Sequence, residues 1–259
     1  MGRALVTGAG QRLGRAMALY LGQRGDDVAV HYASSREGAE ATAEEIRSIG
    51  RQAVTLQADL LAEDALQALL PRAAEALGGP VTCLVNNASI FEADDLATAT
   101  RESWDRHLDS NLRAPFVLTQ AMAGQGLSPE TDAAGEPRAS ALIVNMIDQR
   151  VRNLTPECMS YTIAKMGLWA MTRTTAQALA PAIRVNAIGP GPTLQGAQQS
   201  AEAFAAQRAG TVLRRGANPD DITAALGYFI DSPSVTGQLL CTDGGEHLQW
   251  PAGPDDAGS

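Results

Sequence analysis

Ala4-Leu5-Val6-Thr7-Gly8-Ala9-Gly10-Gln11-Arg12-Leu13-Gly14 changes character twice in eleven residues. Ala4 to Thr7 is a short apolar run, read as a strand. Gly8 and Gly10 then give a turn, and from Leu13 apolar residues recur at helical spacing (Leu13, Met17, Leu21) until Gly22 and Gly25. Strand, glycine turn and helix in this order form half of a βαβ unit. Glycines at such a turn let backbone approach a phosphate closely, and the following helix offers free N–H groups and a partial positive charge. Gly8, Gln11, Arg12 and Leu13 are therefore candidate cofactor contacts. The same turn also occurs where nothing binds, so its company decides its meaning.

Reading outward, the alternation continues. Val28 to Tyr32, Ala53 to Gln57, Val81 to Val85, Ala141 to Val144, Ile183 to Ile188 and Gln238 to Thr242 read as strands. Arg36 to Ile49, Ala62 to Leu77, Arg101 to about Ala123 (one long helix), Thr155 to Ala180, about Ser200 to Gln207 and Pro219 to Ile230 read as helices. Alternation of this kind predicts an α/β fold, with a doubly wound parallel sheet and helices on both faces. No linker divides it, so residues 1–250 are read as one domain and 251–259 as a flexible tail. The polar, Gly- and Pro-containing stretch 125–139 reads as an exposed, mobile loop.

Apolar residues make up 45% of the chain and charged residues 19%, which suits a globule with a sizeable core. A net charge of −9 argues against nucleic acid or an anionic membrane as partner. Cys83, Cys158 and Cys241 share no spacing and read as thiols in a reducing compartment. His31, His107 and His247 form no metal-ligand pattern, so no metal is expected. No secretory signal or membrane span is recognisable, and a cytoplasmic location is expected.

The second informative stretch runs from Asn145 to Lys165, N-M-I-D-Q-R-V-R-N-L-T-P-E-C-M-S-Y-T-I-A-K. Thr155 and Pro156 look like the N-cap and first residue of a helix. Tyr161 and Lys165 are four apart and share a helix face. An ammonium there favours the phenolate and is expected to lower the phenol pKa, making Tyr161 a proton donor to an atom that receives a hydride. The plain alternative is an ordinary amphipathic face. Asp148 lies upstream, as an acid or a turn residue.

Taken together, the Thr7–Gly14 turn, Asp59, Asn86-Asn87-Ala88, Asn111, Tyr161/Lys165 and Pro190-Gly191 resemble the short-chain dehydrogenase/reductase family over almost the whole chain. The resemblance implies a Rossmann fold carrying NAD(P), usually in a homotetramer. It implies that Asp59, with Leu60, contacts the adenine, and that Asn87, Ala88, Pro190 and Gly191 line the ribose and nicotinamide. It further implies that Asn111 supports Lys165 through a water, and that residues 192–215 cover the substrate. Asp59 as a helix cap and Asn111 as a helix kink are the structural alternatives.

After the second strand the run is His31-Tyr32-Ala33-Ser34-Ser35-Arg36, with no carboxylate to take a ribose 2′-hydroxyl. Ser34, Ser35 and Arg36 suit a 2′-phosphate, which predicts NADPH, and they also suit a helix start.

Two departures from the common family pattern are Arg12 in place of a glycine and Asp148 in place of a serine. Both, together with Arg12-Leu13-Gly14, His31-Tyr32, Asn87-Ala88-Ser89, Phe91 and Asn145-Met146-Ile147-Asp148, are similar to the pteridine reductase branch. That branch carries a basic residue where this chain has Ala33 or Ser34. The resemblance implies a pterin or folate stacked between nicotinamide and Phe91, held by Arg12 and Ser89, and protonated by Tyr161 and Asp148. Phe91 as a core residue is the bland reading. Two rivals stand beside this one: a reductase of a carbonyl substrate, such as a 3-oxoacyl thioester or a sugar, and a non-enzymatic NADP-binding regulator.

Overall fold

The computed structural model describes residues 2–196 and 199–249. In chain order, β1 (Arg3–Val6), α1 (Arg12–Gln23), β2 (Asp27–Tyr32), α2 (Arg36–Ser48), β3 (Ala53–Gln57), α3 (Glu63–Ala76) and β4 (Cys83–Asn86) build the first half. Then come α4 (Arg101–Leu108), α5 (Ala114–Ala123), the short strands β5 (Glu130–Thr131) and β6 (Pro137–Arg138), β7 (Ala141–Met146) and α6 (Met159–Leu179). The chain continues with β8 (Ile183–Pro190), α7 (Ala201–Ala209), α8 (Pro219–Asp231) and β9 (Leu239–Thr242). The main sheet has seven strands in the order β3-β2-β1-β4-β7-β8-β9, every pair parallel.

Strand residues alternate between two cores, as the period of two demands. Val6, Val30, Val144 and Met146 pack with Met17 and Leu21 of α1, Ile46 of α2 and Phe229 of α8. Leu5, Leu84, Ile143 and Val185 face the other way, onto Leu70 of α3 and Leu118 and Met122 of α5. Each fully buried side chain of this size contributes roughly 1.5–3 kcal/mol. With helices on both faces, strands are apolar nearly throughout. The order reverses at β1/β4, so the carboxyl ends of β1, β4, β7 and β8 open one crevice, where ligands of such folds bind.

Four expectations change. The predicted single helix from Arg101 to Ala123 is interrupted by a π-helical turn over Asp109–Arg113. Pro115 explains part of this, because it has no N–H to return to the Asn111 carbonyl four residues back. Helix α6 begins at Met159, not at Thr155–Pro156: the Thr155 hydroxyl is taken by Arg150 Nη1 at 2.8 Å, and the N-cap is Cys158, in the left-handed region at φ 51°. The stretch 125–139 contains the antiparallel β5/β6 hairpin, which lies exposed. Finally, the strand expected over Val81–Val85 starts at Cys83 and reaches Asn86. The tail from Pro251, and Ala197 and Gln198 within the covering segment, lie outside the described residues.

Candidate active site

The glycine turn is built by close approach. Gly8 has φ +63°, and a Cβ on Gly14 would stand 2.2 Å from the Gly8 carbonyl oxygen and 2.6 Å from Asn87 Nδ2. Neither position tolerates a side chain. Thr7 Oγ1 accepts the N–H groups of Asn87 and Ala88, each at 2.9 Å, while Asn87 Nδ2 donates to the Thr7 carbonyl at 2.8 Å. The end of β1 is thus laced to the loop after β4.

Helix α1 has no side-chain N-cap, so its first-turn N–H groups face the crevice without a capping acceptor. The N-cap of α2, Ser35, likewise makes no side-chain cap. Ser34 and Arg36 are exposed beside it. Uncapped helix starts, a turn with no room for a Cβ, and free hydroxyls next to a guanidinium fit a phosphate-bearing dinucleotide.

His31, a candidate cofactor contact by its place at the end of β2, does not reach the crevice itself. It is buried beneath the turn, with Nδ1 accepting the Gly8 N–H at 3.0 Å and Nε2 donating to the Ala58 carbonyl at 3.1 Å. Burial lowers its pKa to about 4, so it stays neutral and supports the turn from behind. Tyr32 and Leu60 are also buried, whereas Asp59 is exposed and accepts the Leu61 N–H at 3.0 Å in the turn that precedes α3, whose N-cap is Ala62. Arg12, at φ 54°, sends its guanidinium across the crevice to the carbonyls of Leu194 (3.1 Å) and Gln195 (2.9 Å), tying the turn to the covering segment.

On the other wall, Asn86 of β4 and Asn145 of β7 are register partners. Asn86 Nδ2 donates to Asn145 Oδ1 at 2.8 Å, and Asn145 Nδ2 to Thr172 Oγ1 at 2.9 Å, which fixes α6 against the strand ends. Tyr161 donates its hydroxyl proton to Asp148 Oδ2 at 3.1 Å. Asp148 Oδ1 accepts the Arg150 N–H at 2.8 Å. Lys165 is buried, with Nζ donating to the Met146 carbonyl at 2.9 Å and lying 5.6 Å from the Tyr161 ring centre.

Electrostatics here run against one expectation. The Tyr161 phenol is not lowered by Lys165 but pushed well above its ordinary value, first by burial and then by the Asp148 carboxylate. Burial also raises the Asp148 carboxyl and lowers Lys165 to about 8. The physical reason is common: an enclosed site disfavours every charged form, and Asp148 lies nearer the phenol oxygen than any cation does. Both oxygen acids therefore hold their protons more tightly than in water, which suits a carboxyl that is to act as a donor but makes the phenol a weaker acid.

Phe91 is exposed, and its ring stands edge-on to Tyr161 at 4.7 Å and 84°. It is not a core residue. Ser89 is exposed on the same loop. Pro190 ends β8, and Gly191 donates its N–H to the Thr242 carbonyl at 3.2 Å. The Asn111 side chain pairs with the Ile90 backbone, accepting that residue's N–H at 3.0 Å and donating to its carbonyl at 2.8 Å.

Sequence reasoning missed Asp94, His107 and Ser160, which form a buried polar group behind Tyr161, and Glu246, whose carboxylate lies near Gly191 and accepts from Gln207 Nε2 at 3.1 Å. Ser160 adjoins Tyr161, a signal that could have been followed; Asp94 and Glu246 gave none.

A family model described as enoyl-(acyl carrier protein) reductase matches residues 8–247. The FolM alternative dihydrofolate reductase 1 of Brucella canis, solved with NADP, superposes with a TM-score of 0.90 at 40% identity, covering 99% of this chain and 97% of that one. The 3-oxoacyl-[acyl-carrier-protein] reductase FabG of Staphylococcus epidermidis is 30% identical over 250 residues, 95% of this chain and 98% of its own. The 3beta-hydroxysteroid dehydrogenase 1 of Eggerthella lenta is 32% identical over 254 residues, 94% of this chain and 93% of its own.

Proposed function

Since the chain belongs to the short-chain dehydrogenase/reductase family, we propose that it is an NADPH-dependent reductase of pteridines, of the dihydropterin or dihydrofolate type. The observation that carries this reading is the Asp148–Tyr161 pair with the Phe91 ring beside it. A carbonyl needs one proton donor. A C=N bond likewise takes one proton with its hydride, but a pterin ring carries two such bonds, so two acids beside an aromatic face suit a flat heterocycle, and the likeness to FolM supports that choice.

The nicotinamide supplies the hydride. The turn at Gly8, Gln11, Arg12 and Leu13 receives the pyrophosphate, and Ser34, Ser35 and Arg36 the 2′-phosphate. Asp59 and Leu60 serve the adenine end, and Asn87, Ala88, Pro190 and Gly191 the ribose and nicotinamide. His31 and Tyr32 act from below by shaping the turn. Arg12 and Ser89 hold the amino-pyrimidine end of the pterin against Phe91.

When hydride adds to the ring carbon, the C=N electron pair moves to nitrogen. That nitrogen takes a proton from Tyr161, and the phenolate recovers one from solvent past Lys165. Where a second C=N of the same ring is reduced by a second NADPH, Asp148, its carboxyl raised by burial, supplies the one proton which that nitrogen takes. The Asn111 carbonyl, which Pro115 cannot engage as an α-helix would, is our assignment for the water serving Lys165.

The second reading, a carbonyl reductase, is favoured by the likeness to FabG. We assign the protein to the cytoplasm, in keeping with its three free cysteines, and to a homotetramer. NADPH oxidation with a panel of dihydropterins, dihydrofolate and ketones separates the two readings. Pterin turnover, blocked by antifolates that mimic the stacked ring, is expected. Tyr161→Phe should lower kcat by about 10²- to 10⁴-fold, and Asp148→Ser should impair pterin reduction. Ketone turnover without pterin turnover replaces this reading by the second.

A further inference from the structure

Behind Tyr161 runs a buried chain of side chains that neither the hydride step nor the cofactor cradle uses. Asp94, His107 and Ser160 are all buried, the last two completely. The direction of the chain follows from its fixed end. The Glu92 backbone N–H can only donate, and it donates to His107 Nε2 at 3.1 Å. The imidazole proton therefore sits on Nδ1 and is given to Ser160 Oγ at 2.6 Å. The Ser160 hydroxyl in turn donates to Asp94 Oδ2, and Asp94 Oδ1 accepts the Ser160 N–H at 3.1 Å. The Asp94 backbone carbonyl accepts the Met159 N–H at 3.3 Å.

These contacts join two particular places. Glu92 follows Phe91, and Ser160 precedes Tyr161. Asp94 provides the acceptors that α6 lacks in its own sequence, and its negative charge lies at the positive end of the helix. Its hold accompanies the left-handed backbone of Cys158, at φ 51°, which non-glycine residues seldom adopt. The His107 ring itself lies 6.1 Å from that of Tyr161, at 74°.

We propose that Glu92 N–H, His107, Ser160 and Asp94 form a positioning device that sets the proton donor Tyr161 and the stacking ring Phe91 in one register, so that substrate plane and acidic hydrogen are aligned together. The claim rests on Tyr161 being the donor. Asp94, His107 and Ser160 are positioning residues and touch no reacting atom.

Asp94→Asn tests it with little change of shape. Either orientation of the amide places its NH2 against Ser160, opposing the N–H or the hydroxyl and breaking the direction of the chain. Ser160→Ala removes the joint outright. With dihydrobiopterin as probe, both variants should lose tenfold to about a hundredfold in kcat, the size of effect that misplacement produces. The solvent deuterium isotope effect on kcat should rise, since proton transfer slows, while NADPH affinity stays within about twofold. A lowered Tm with wild-type kcat and isotope effect overturns the proposal, because the chain then only supports the fold. Imidazole ¹⁵N shifts of the wild-type protein give a test that needs no variant: His107 must carry its proton on Nδ1, and the opposite tautomer also overturns it. Tyr161→Phe is the control. If that variant reduces pterin normally, the donor assignment falls and this proposal with it; if it is inactive while Asp94→Asn is normal, this proposal falls alone.

Discussion

Lys165 shows how far a single residue's surroundings decide its chemistry. Its ammonium is enclosed, and its pKa falls from 10.5 to about 8. Between those values the unfolded chain holds the proton and the folded one has released it. The unfolded state then binds more protons, so this residue's contribution to stability rises with pH through that window, by roughly 1 kcal/mol per pH unit. Tyr161 and Cys83 are raised by burial and act in the opposite sense as pH climbs through their own ranges, so the comparison must be with Lys165→Met. Urea unfolding of wild type and Lys165→Met at pH 7.5, 8.5 and 9.5 should show the wild type gaining on the variant at each step. Parallel curves would remove the lowered pKa. The same ionisation predicts that turnover declines above about pH 8, where the buried cation is lost.

At the scale of elements, the β1–α1 turn and the entry to α6 are made by opposite means. The first is local: Gly8 and Gly14 let two backbones and the Asn87 amide meet with no side chain between them. Gly14→Ala should therefore force the turn apart. We expect NADPH affinity to weaken at least about tenfold, with a destabilisation of about 1–3 kcal/mol from overpacking. Fluorescence titration and thermal melts measure both, and wild-type affinity in this variant would show that the turn is not the cradle. The α6 entry is not local. Its acceptor, Asp94, comes from the loop after β4, and the Thr155 hydroxyl that would have capped an earlier start is engaged by Arg150.

The whole molecule places its polar machinery at one edge of the parallel sheet and leaves apolar surface on the helices beside it. Trp104 of α4, Phe116 of α5, and Ile163 and Met166 of α6 are exposed. In a homotetramer, residues of this kind are covered by another copy. Phe116→Arg should then reduce the assembly to dimers or monomers in light-scattering measurements, and a wild type that is monomeric at micromolar concentration would remove the tetramer. Since Tyr161 and Lys165 lie on the same helix as Ile163 and Met166, loss of assembly should also lower turnover.

Periodicity alone determined the parallel α/β sheet, the glycine turn, the Tyr161–Lys165 face and most strand and helix limits. Local propensity and the two-residue and 3.6-residue repeats act over a few residues and are written in the chain. Family likeness carried the placing of Asp148 near Tyr161. What tertiary structure decided were partners distant in sequence: Asp94 at the α6 start, His31 beneath Gly8, Ile90 on the Asn111 side chain, and Arg12 on Leu194 and Gln195. It also decided the sign of the Tyr161 shift, because burial and Asp148 act on the phenol through space. Sequence spacing alone shows only the lysine four residues away.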